Sequence, residues 1–507
     1  MQSPFFLPFF VPVRSAIFVF AWVVGAMLVV PMAGRAATST YPGAAPCNTT
    51  LQACIDAASS NDTIELAFNT ANAELLTIQN KNLTVQPKAG NTPKVGSVLI
   101  MADTAAATVV VQRLAGIGRV DAFCGKADLD VSVLSSNFTP GSTMTVRDNP
   151  GYSTGRITAT IAHNTFNIAD VDNGSSAISV TVFTQPFTAT IVDNDMSLTN
   201  LRQDGGIMVY LGAGNGSSAT IDRNRLFGSN FDFGIQLRTA GGNDNAAPPS
   251  LLNASVTNNV VTGQYGNVGA PGGIVLSASG WNGTIDAKIV NNTLVDGRTG
   301  ILASARDDMG SAIRVVVGNN LIAYNQSYAI GIDPSAVRTL SNNLVFSNGP
   351  DYDGPLPGTI VADPLFVNHA TKIYTLGPGS PAVDRGLDAA LPPQFNLDVV
   401  GNPRRVGTLD IGAFESAAIA AAVAGVCGSD NGRSLDATPT QLCNVGIASP
   451  IIGNGLPWTW SCVGTGANAT ANCSAQRAPA TAPATSPALL ALFCGLLIAC
   501  GLRTRRA

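Results

Sequence analysis

One hydrophobic pattern recurs along the chain: an apolar residue, two variable residues, Asn, one variable residue, and a second apolar residue. It falls at Ile161-Asn164-Phe166, Ile191-Asn194-Met196, Ile221-Asn224-Leu226, Val256-Asn259-Val261, Ile289-Asn292-Leu294, Val317-Asn320-Ile322 and Leu340-Asn343-Val345. Successive asparagines lie 30, 30, 35, 33, 28 and 23 residues apart, the spacing of a solenoid in which each repeat is one supersecondary unit. Between them sits a second unit, Gly followed by β-favouring residues: Gly206-Ile-Met-Val-Tyr, Gly234-Ile-Gln-Leu, Gly273-Ile-Val-Leu, Gly300-Ile-Leu and Gly331-Ile. Each period therefore holds at least two short strands.

This period decides the architecture. A strand of four or five residues cannot bury an apolar face alone, but stacked rungs pair every backbone group with the rung above and below, roughly 4.8 Å away. Asn suits the corner because it tolerates left-handed backbone and its amide can bond to the Asn of the next rung. The expectation is an all-β, right-handed parallel β-helix (solenoid) over about residues 60–350, its hand following the rule for parallel crossovers. Asn164, Asn194, Asn224, Asn259, Asn292, Asn320 and Asn343 then share one corner. An α-helical reading fails because the apolar spacing is not 3.6 and Gly or paired Asn interrupts each segment. A β-propeller needs about 40–45 residues and four strands per repeat.

Composition narrows the picture. Charged residues make up 12 % of the 507 residues and only six are Lys, while Gly reaches 52; ordinary globular chains are about 25 % charged. A surface of Asn, Ser, Thr and Gly suits strands and turns and argues against a helix-rich enzyme. A net charge of −4 and a pI near 5.2 leave no basic footprint for nucleic acid. With His163 and His369 as the only histidines, a multi-His metal site or a His-triad hydrolase is disfavoured.

The ends address the chain. Residues 1–37 read as a signal peptide, with Arg14, an apolar run over 17–30, and small residues at Ala33, Ala36 and Ala37. That places the mature protein outside the cytoplasm, where its nine cysteines can pair. Residues 477–507 form a Pro/Ala/Thr linker, a short apolar stretch over 488–502, and a basic end with Arg503, Arg505 and Arg506. This order resembles the sorting tails of bacterial surface proteins and implies a membrane contact and an anchor-processing enzyme. A plain tail anchor is the alternative.

Asn48-Thr-Thr-Leu-Gln-Ala-Cys-Ile-Asp-Ala-Ala-Ser-Ser-Asn-Asp-Thr-Ile-Glu-Leu66 resembles the opening of bacterial right-handed parallel β-helix proteins, in which a short amphipathic helix caps the first coil. Leu51, Ile55 and Ala58 would cover the open end of the core. Ala362-Asp-Pro-Leu-Phe-Val367, Gly379-Ser-Pro-Ala-Val-Asp-Arg-Gly386, Asp398-Val-Val-Gly-Asn-Pro-Arg404 and Asp410-Ile-Gly-Ala-Phe-Glu415 are similar, in that order, to the closing segment of the choice-of-anchor Q β-helix proteins. The resemblance implies a coil over 38–350, a closing segment over 351–416, and a surface location, with no agreed activity.

Asp384, Asp398, Asp410 and Glu415 beside Arg404 and Arg405 gather charge in a low-charge chain. They read either as a catalytic carboxylate pair or calcium site, or as carboxylates that bond loop amides and pair with Arg404 to lock the last coil. Calcium is the one cofactor this region brings into question. After an Ala-rich hinge at 417–426, residues 427–476 carry Cys427, Cys443, Cys462 and Cys473 without close CxxC pairs. Two disulfides stapling a small β module fit better than zinc, in any of three connectivities. Cys47 and Cys54 are expected to pair near the cap helix, leaving Cys124 as a buried thiol or an interchain link.

Three functions remain open: binding of polysaccharide or another surface ligand, a polysaccharide lyase or glycoside hydrolase acting on an extended acidic glycan, and a structural spacer. Lyases on this fold use a Lys or Arg base with calcium, and Lys288 is the only ladder lysine; the tripeptide motifs of the hydrolases do not occur. The positions flanking the ladder asparagines stack His163, Asp193, Asp195, Arg223 and Arg225 on successive rungs. They read either as a contact for an acidic glycan or as a cross-rung salt-bridge ladder.

Overall fold

The computed structural model describes residues 36–169, 176–214, 216–241, 249–263, 272–349, 356, 358–416, 424–445, 447–463 and 470–479. The signal segment up to residue 35, most of the hinge, the C-terminal anchor stretch, and Cys494 and Cys500 lie outside them. Among the described residues no helix is long and apolar enough to cross a membrane.

The chain is all-β, a parallel β-helix with a small disulfide-stapled module on its C-terminal side. A 12-stranded parallel sheet begins with Thr38–Tyr41 and ends with Val337–Ser341, and a branched 16-stranded sheet wraps the remaining faces. Within each rung the strand before the ladder Asn lies in the first sheet, while the strand after it and the strand after the Gly lie in the second. The rung thus has a third side, where the sequence pattern counted at least two strands. The first apolar residue of the first six motifs stacks in register, Val133 on Ile161, Ile191, Ile221, Val256, Ile289 and Val317, all fully buried. Burying a side chain of that size stabilises by about 1.5–3 kcal/mol.

The asparagines do share one corner. Asn224 shows the pattern: its backbone N–H and its Nδ2 both donate to Oδ1 of Asn259 (2.9 and 3.0 Å), and Nδ2 also reaches the Ile191 carbonyl (2.9 Å). The same set recurs from Asn164 to Asn320, and Asn343 ends the run by donating to Val317 O at 2.9 Å. Ser136 prolongs the ladder one rung earlier by donating its backbone N–H to Asn164 Oδ1. A second, shorter ladder joins Asn325 to Asn348.

One expectation is corrected here. The left-handed residue of the corner is the one before each ladder Asn: His163, Asp193, Arg223, Asn258, Asn291, Asn319 and Asn342 have φ of 52–58°. The ladder Asn is needed for its amide, which must point inward, and the preceding residue takes the strained turn. The Gly unit is shifted at its last copy, because Ile301 pairs with Ile330, so Ala329 rather than Gly331 occupies the Gly position. At Gly206 and Gly234 an added Cβ would come within 2.1 Å of Leu226 Cδ2 and 2.4 Å of Val261 Cγ1, a contact no side chain can make.

The cap helix is Leu51–Ala57, with Thr50 as N-cap. The Glu74 carboxylate accepts the N–H groups of Leu51 and Gln52 (3.1 and 3.0 Å), favourable at the positive end of the helix dipole. Leu51 and Ile55 are buried as expected, Ala58 only partly. Cys47 and Cys54 are bonded. An unforeseen strand, Thr38–Tyr41, precedes the helix and pairs with residues 63–66.

The closing segment does more than lock the last coil. After Thr359–Val361 adds a strand and Phe366–Asn368 pairs with Ile373–Leu376, the chain runs back along the outside of the corner. Asn291 Nδ2 donates to the Asp410 carbonyl (2.8 Å), Asn319 exchanges bonds with Leu387 (2.8 and 3.0 Å), and Asn342 reaches Arg385 O (2.7 Å). Tyr374, Val399 and Ile411 pack on Val260, Val295, Leu321 and Leu344 in a second apolar cluster. In the small module the connectivity is Cys427–Cys473 and Cys443–Cys462, and buried Trp460 donates Nε1–H to Leu442 O at 2.7 Å.

Replacing Asn224 with Ala takes from the Asn194 backbone N–H its acceptor and from the Ile191 carbonyl its side-chain donor. At about 1–3 kcal/mol per buried orphan, urea unfolding should show a loss near 3 kcal/mol. The exposed Asn253→Ala should stay within about 0.5 kcal/mol.

Candidate functional site

Strands after the Gly position alternate core and outward residues, which gives two outward columns, and the second of them holds the aromatic and basic residues. Ala122, Val146, Val180, Val209 and Leu237 point into the core and are fully buried. The residues after them form an in-register outer column: Met101, Phe123, Arg147, Thr181, Tyr210, Arg238, Ser277 and Ser304. The Arg147 guanidinium lies over the Phe123 ring at 4.3 Å and that of Arg238 over Tyr210 at 5.7 Å, while Phe183 packs beside Tyr210 at 5.3 Å. Both arginines are exposed, and neither makes an ion pair among the described residues, so their N–H forks face solvent.

The N-terminal end of the column opens into a cleft of about 530 Å³, lined by Met101, Asp103, Asp121, Phe123, Cys124 and Tyr152. Lys126 lies over the Tyr152 ring at 4.4 Å. The Cys124 thiol is buried and unbonded. Burial, with the charges of Asp148 and Asp128 behind it, pushes its pKa up to about 12, so it is an inert thiol rather than a nucleophile. Burial also raises the Tyr210 hydroxyl above its ordinary value. A guanidinium stacked on a ring keeps its N–H fork free for a carboxylate, while the outer edge of the ring offers an apolar contact for a sugar.

The residues singled out from the ladder lie on a different edge, the asparagine corner. Arg223 grips Asp193 with two bonds (2.8 and 2.7 Å) and also pairs with Asp222; Arg225 pairs with Asp195 on the neighbouring rung. His163 Nε2 stands 3.8 Å from Asp193. The structure thus gathers them in two sets, His163 with Asp193 and Arg223, and Asp195 with Arg225, with the forks of both arginines turned to carboxylates. The hydrogen bond to Asp193 raises the Arg223 pKa, and burial raises that of Asp222.

In the closing segment the carboxylates face backbone amides. Asp398 accepts from the N–H groups of Val400, Asn402 and Glu415 (3.0, 2.7 and 3.1 Å), Asp410 from Asp384 and Ser416 (2.7 and 2.6 Å), and Glu415 from Val406 and Asp410 (3.3 and 3.1 Å). Asp384 accepts from Thr408 N–H. Carboxylate oxygens spent on amides do not make a calcium cage. Among the described residues the only cluster close enough for a metal is Cys427, Cys462 and Cys473, whose thiols are spent in disulfides. Arg404 is fully buried, 3.7 Å from Glu415, and donates to the Asp410 carbonyl at 2.8 Å. Arg405 instead reaches Leu391 O.

The sequence reading missed the outer column, although its signal is simple. Tyr210, Arg238, Ser277 and Ser304 each stand four positions past Gly206, Gly234, Gly273 and Gly300. The asparagines drew attention to the corner instead.

No protein-family model matches this chain, and no curated protein is significantly similar to it. Among solved structures it is similar to the crystal structure of pectate lyase Pel9A, with 13 % identity and a TM-score of 0.39, over 75 % of this chain and 96 % of that one.

Burial raises Glu415 to about 7, opposed by Arg404, and lowers Arg404. A carboxyl whose folded pKa exceeds its unfolded value near 4.5 adds stability that is complete below pH 4.5 and lost as pH rises through about 7. The melting temperature of the wild type should therefore fall between pH 5 and pH 8 by more than that of Glu415→Gln. Arg404→Ala, which strips a buried pair of one partner, should cost about 3–5 kcal/mol at pH 8, where Glu415 is charged, and less at pH 5, where it is neutral.

Proposed function

We propose that this is an exported, surface-held β-helix that binds an extended acidic polysaccharide along the outer column from Phe123 to Ser277. The observation that carries the reading is that Arg147 and Arg238 lie over aromatic rings with no carboxylate partner among the described residues, while Arg223, Arg225 and Arg404 have one. A guanidinium with unspent N–H groups beside a ring is equipped to recognise a carboxylate bidentately. Export and anchoring rest on the terminal segments of the sequence.

A second reading, β-elimination from a uronic-acid polymer, is favoured by one feature. Lys288, on the outer face of the 12-stranded sheet, lines a groove of about 840 Å³ with Asp388, Asn396 and Arg405. A lysine can act as the base that takes the proton next to a uronate carboxylate, and Arg405 lines the same groove. This groove is on another sheet from the column, so a glycan held on the column does not reach it.

In glycan-array and calorimetric measurements on the purified protein, the double variant Arg147→Ala, Arg238→Ala should lose at least about tenfold in affinity for acidic polymers, since charge-assisted bonds are worth about 1.5–3 kcal/mol each. Unchanged binding by a folded double variant removes the column from consideration. Absorbance of an unsaturated sugar that appears with the wild type and disappears with Lys288→Ala would instead favour elimination.

A further inference from the structure

The outer column has an internal order. From the N-terminal side it reads Phe123, Arg147, Thr181 and then Tyr210, Arg238, Ser277: an aromatic residue, an arginine and a hydroxyl, twice over. In both triplets the guanidinium covers the ring on the rung before it. Resting on the polysaccharide reading above, we infer that this face selects an acidic glycan that presents the same ring face and the same carboxylate at every third sugar residue.

Rung spacing sets the length. Neighbouring strands lie about 4.8 Å apart, so equivalent groups of the two triplets are separated by about 14 Å, the reach of about three pyranose residues in an extended chain. The spacing cannot adjust. Each column residue alternates with a fully buried one, Ala122, Val146, Val180, Val209, Leu237 and Leu276, and a one-residue slip would turn the core outward. Binding of both triplets therefore requires a ligand whose own repeat matches.

Orientation is the sharper constraint. Phe123 and Tyr210 face the same side of the sheet, as do Arg147 and Arg238. A chain with a twofold screw turns each residue over relative to the last, so residues three apart present opposite faces and only one triplet can be satisfied. A threefold screw, or a three-residue chemical repeat, restores the orientation. Thr181 and Ser277 then meet the intervening residue with a hydroxyl that can donate or accept.

The test uses two ladders of oligouronides, two to eight residues long: α-1,4-linked chains, and β-1,4-linked chains whose flat ribbon has twofold symmetry. Two aromatic–arginine pairs span five rungs. In calorimetry the α-linked series should bind weakly up to four residues and gain about 100-fold at five, the gain expected when a second contact becomes intramolecular. The β-linked series should show no such step. Arg238→Ala and Tyr210→Ala should each abolish the step and reduce the short chains bound per molecule from two to one, with unaltered circular dichroism as the folding control. A smooth rise with length, a step in the β-linked series, or a step that survives in both variants overturns the inference while leaving acidic-glycan binding intact. Failure of every acidic glycan to bind overturns the inference and the reading beneath it together.

Discussion

The structure depends on one repeated interaction, a buried side-chain amide that bonds to the same amide on the next rung. A parallel coil must turn a tight corner at every level, and the turn frees backbone groups that have no strand to pair with. Asn259 answers this by accepting from the Asn224 backbone and side chain at once, while donating to the Ile221 carbonyl at 2.9 Å. Because each amide is satisfied only if its neighbour is present in register, the ladder ties corner, register and rung count into one cooperative unit. A low-charge chain can build a long body this way, since its cohesion comes from stacked amides and aliphatic columns rather than from surface ion pairs.

How much of this was legible in the sequence varies with the physics behind each feature. The ladder was legible because it needs one residue type at one position, and the aliphatic stack of Ile161, Ile191 and Ile221 travels with it. The left-handed position was not, because His, Asp, Arg and Asn all take that conformation here, leaving no chemical signature. The shifted last Gly unit escaped because Ala329 fits where Gly stands earlier, so the rule relaxes at the end of the coil. The C-terminal half of the outer column stands at a constant offset from a Gly, yet Ser97, Arg119, Thr143 and Ala177 replace that Gly in the N-terminal half, and variation at solvent positions ordinarily means nothing. Only the register, which is a three-dimensional fact, reveals their order.

The two edges illustrate how one charge type serves two ends. Arg223 and Arg225 sit where the rung beneath supplies Asp193 and Asp195, so their charge is consumed in holding rungs together. Arg147 and Arg238 sit where the rung beneath supplies a ring, which steadies the guanidinium without neutralising it. Whether an arginine's charge is spent inside the coil or left facing solvent is thus set by the residue one rung below.

The left-handed column changes character along its length, from His163, Asp193 and Arg223 to Asn258, Asn291, Asn319 and Asn342, and the last three are the positions that hold residues 385–412. The coil is therefore free to lengthen at one end and tied to a fixed rung count at the other. Duplicating a whole coil ahead of the amide stretch lengthens the body while every grip on the returning strap survives. Duplicating one within that stretch leaves the strap a rung out of step with its holders. Lineages built on this plan should differ in size by whole turns gained or lost near the N-terminus, while their C-terminal thirds stay the same length.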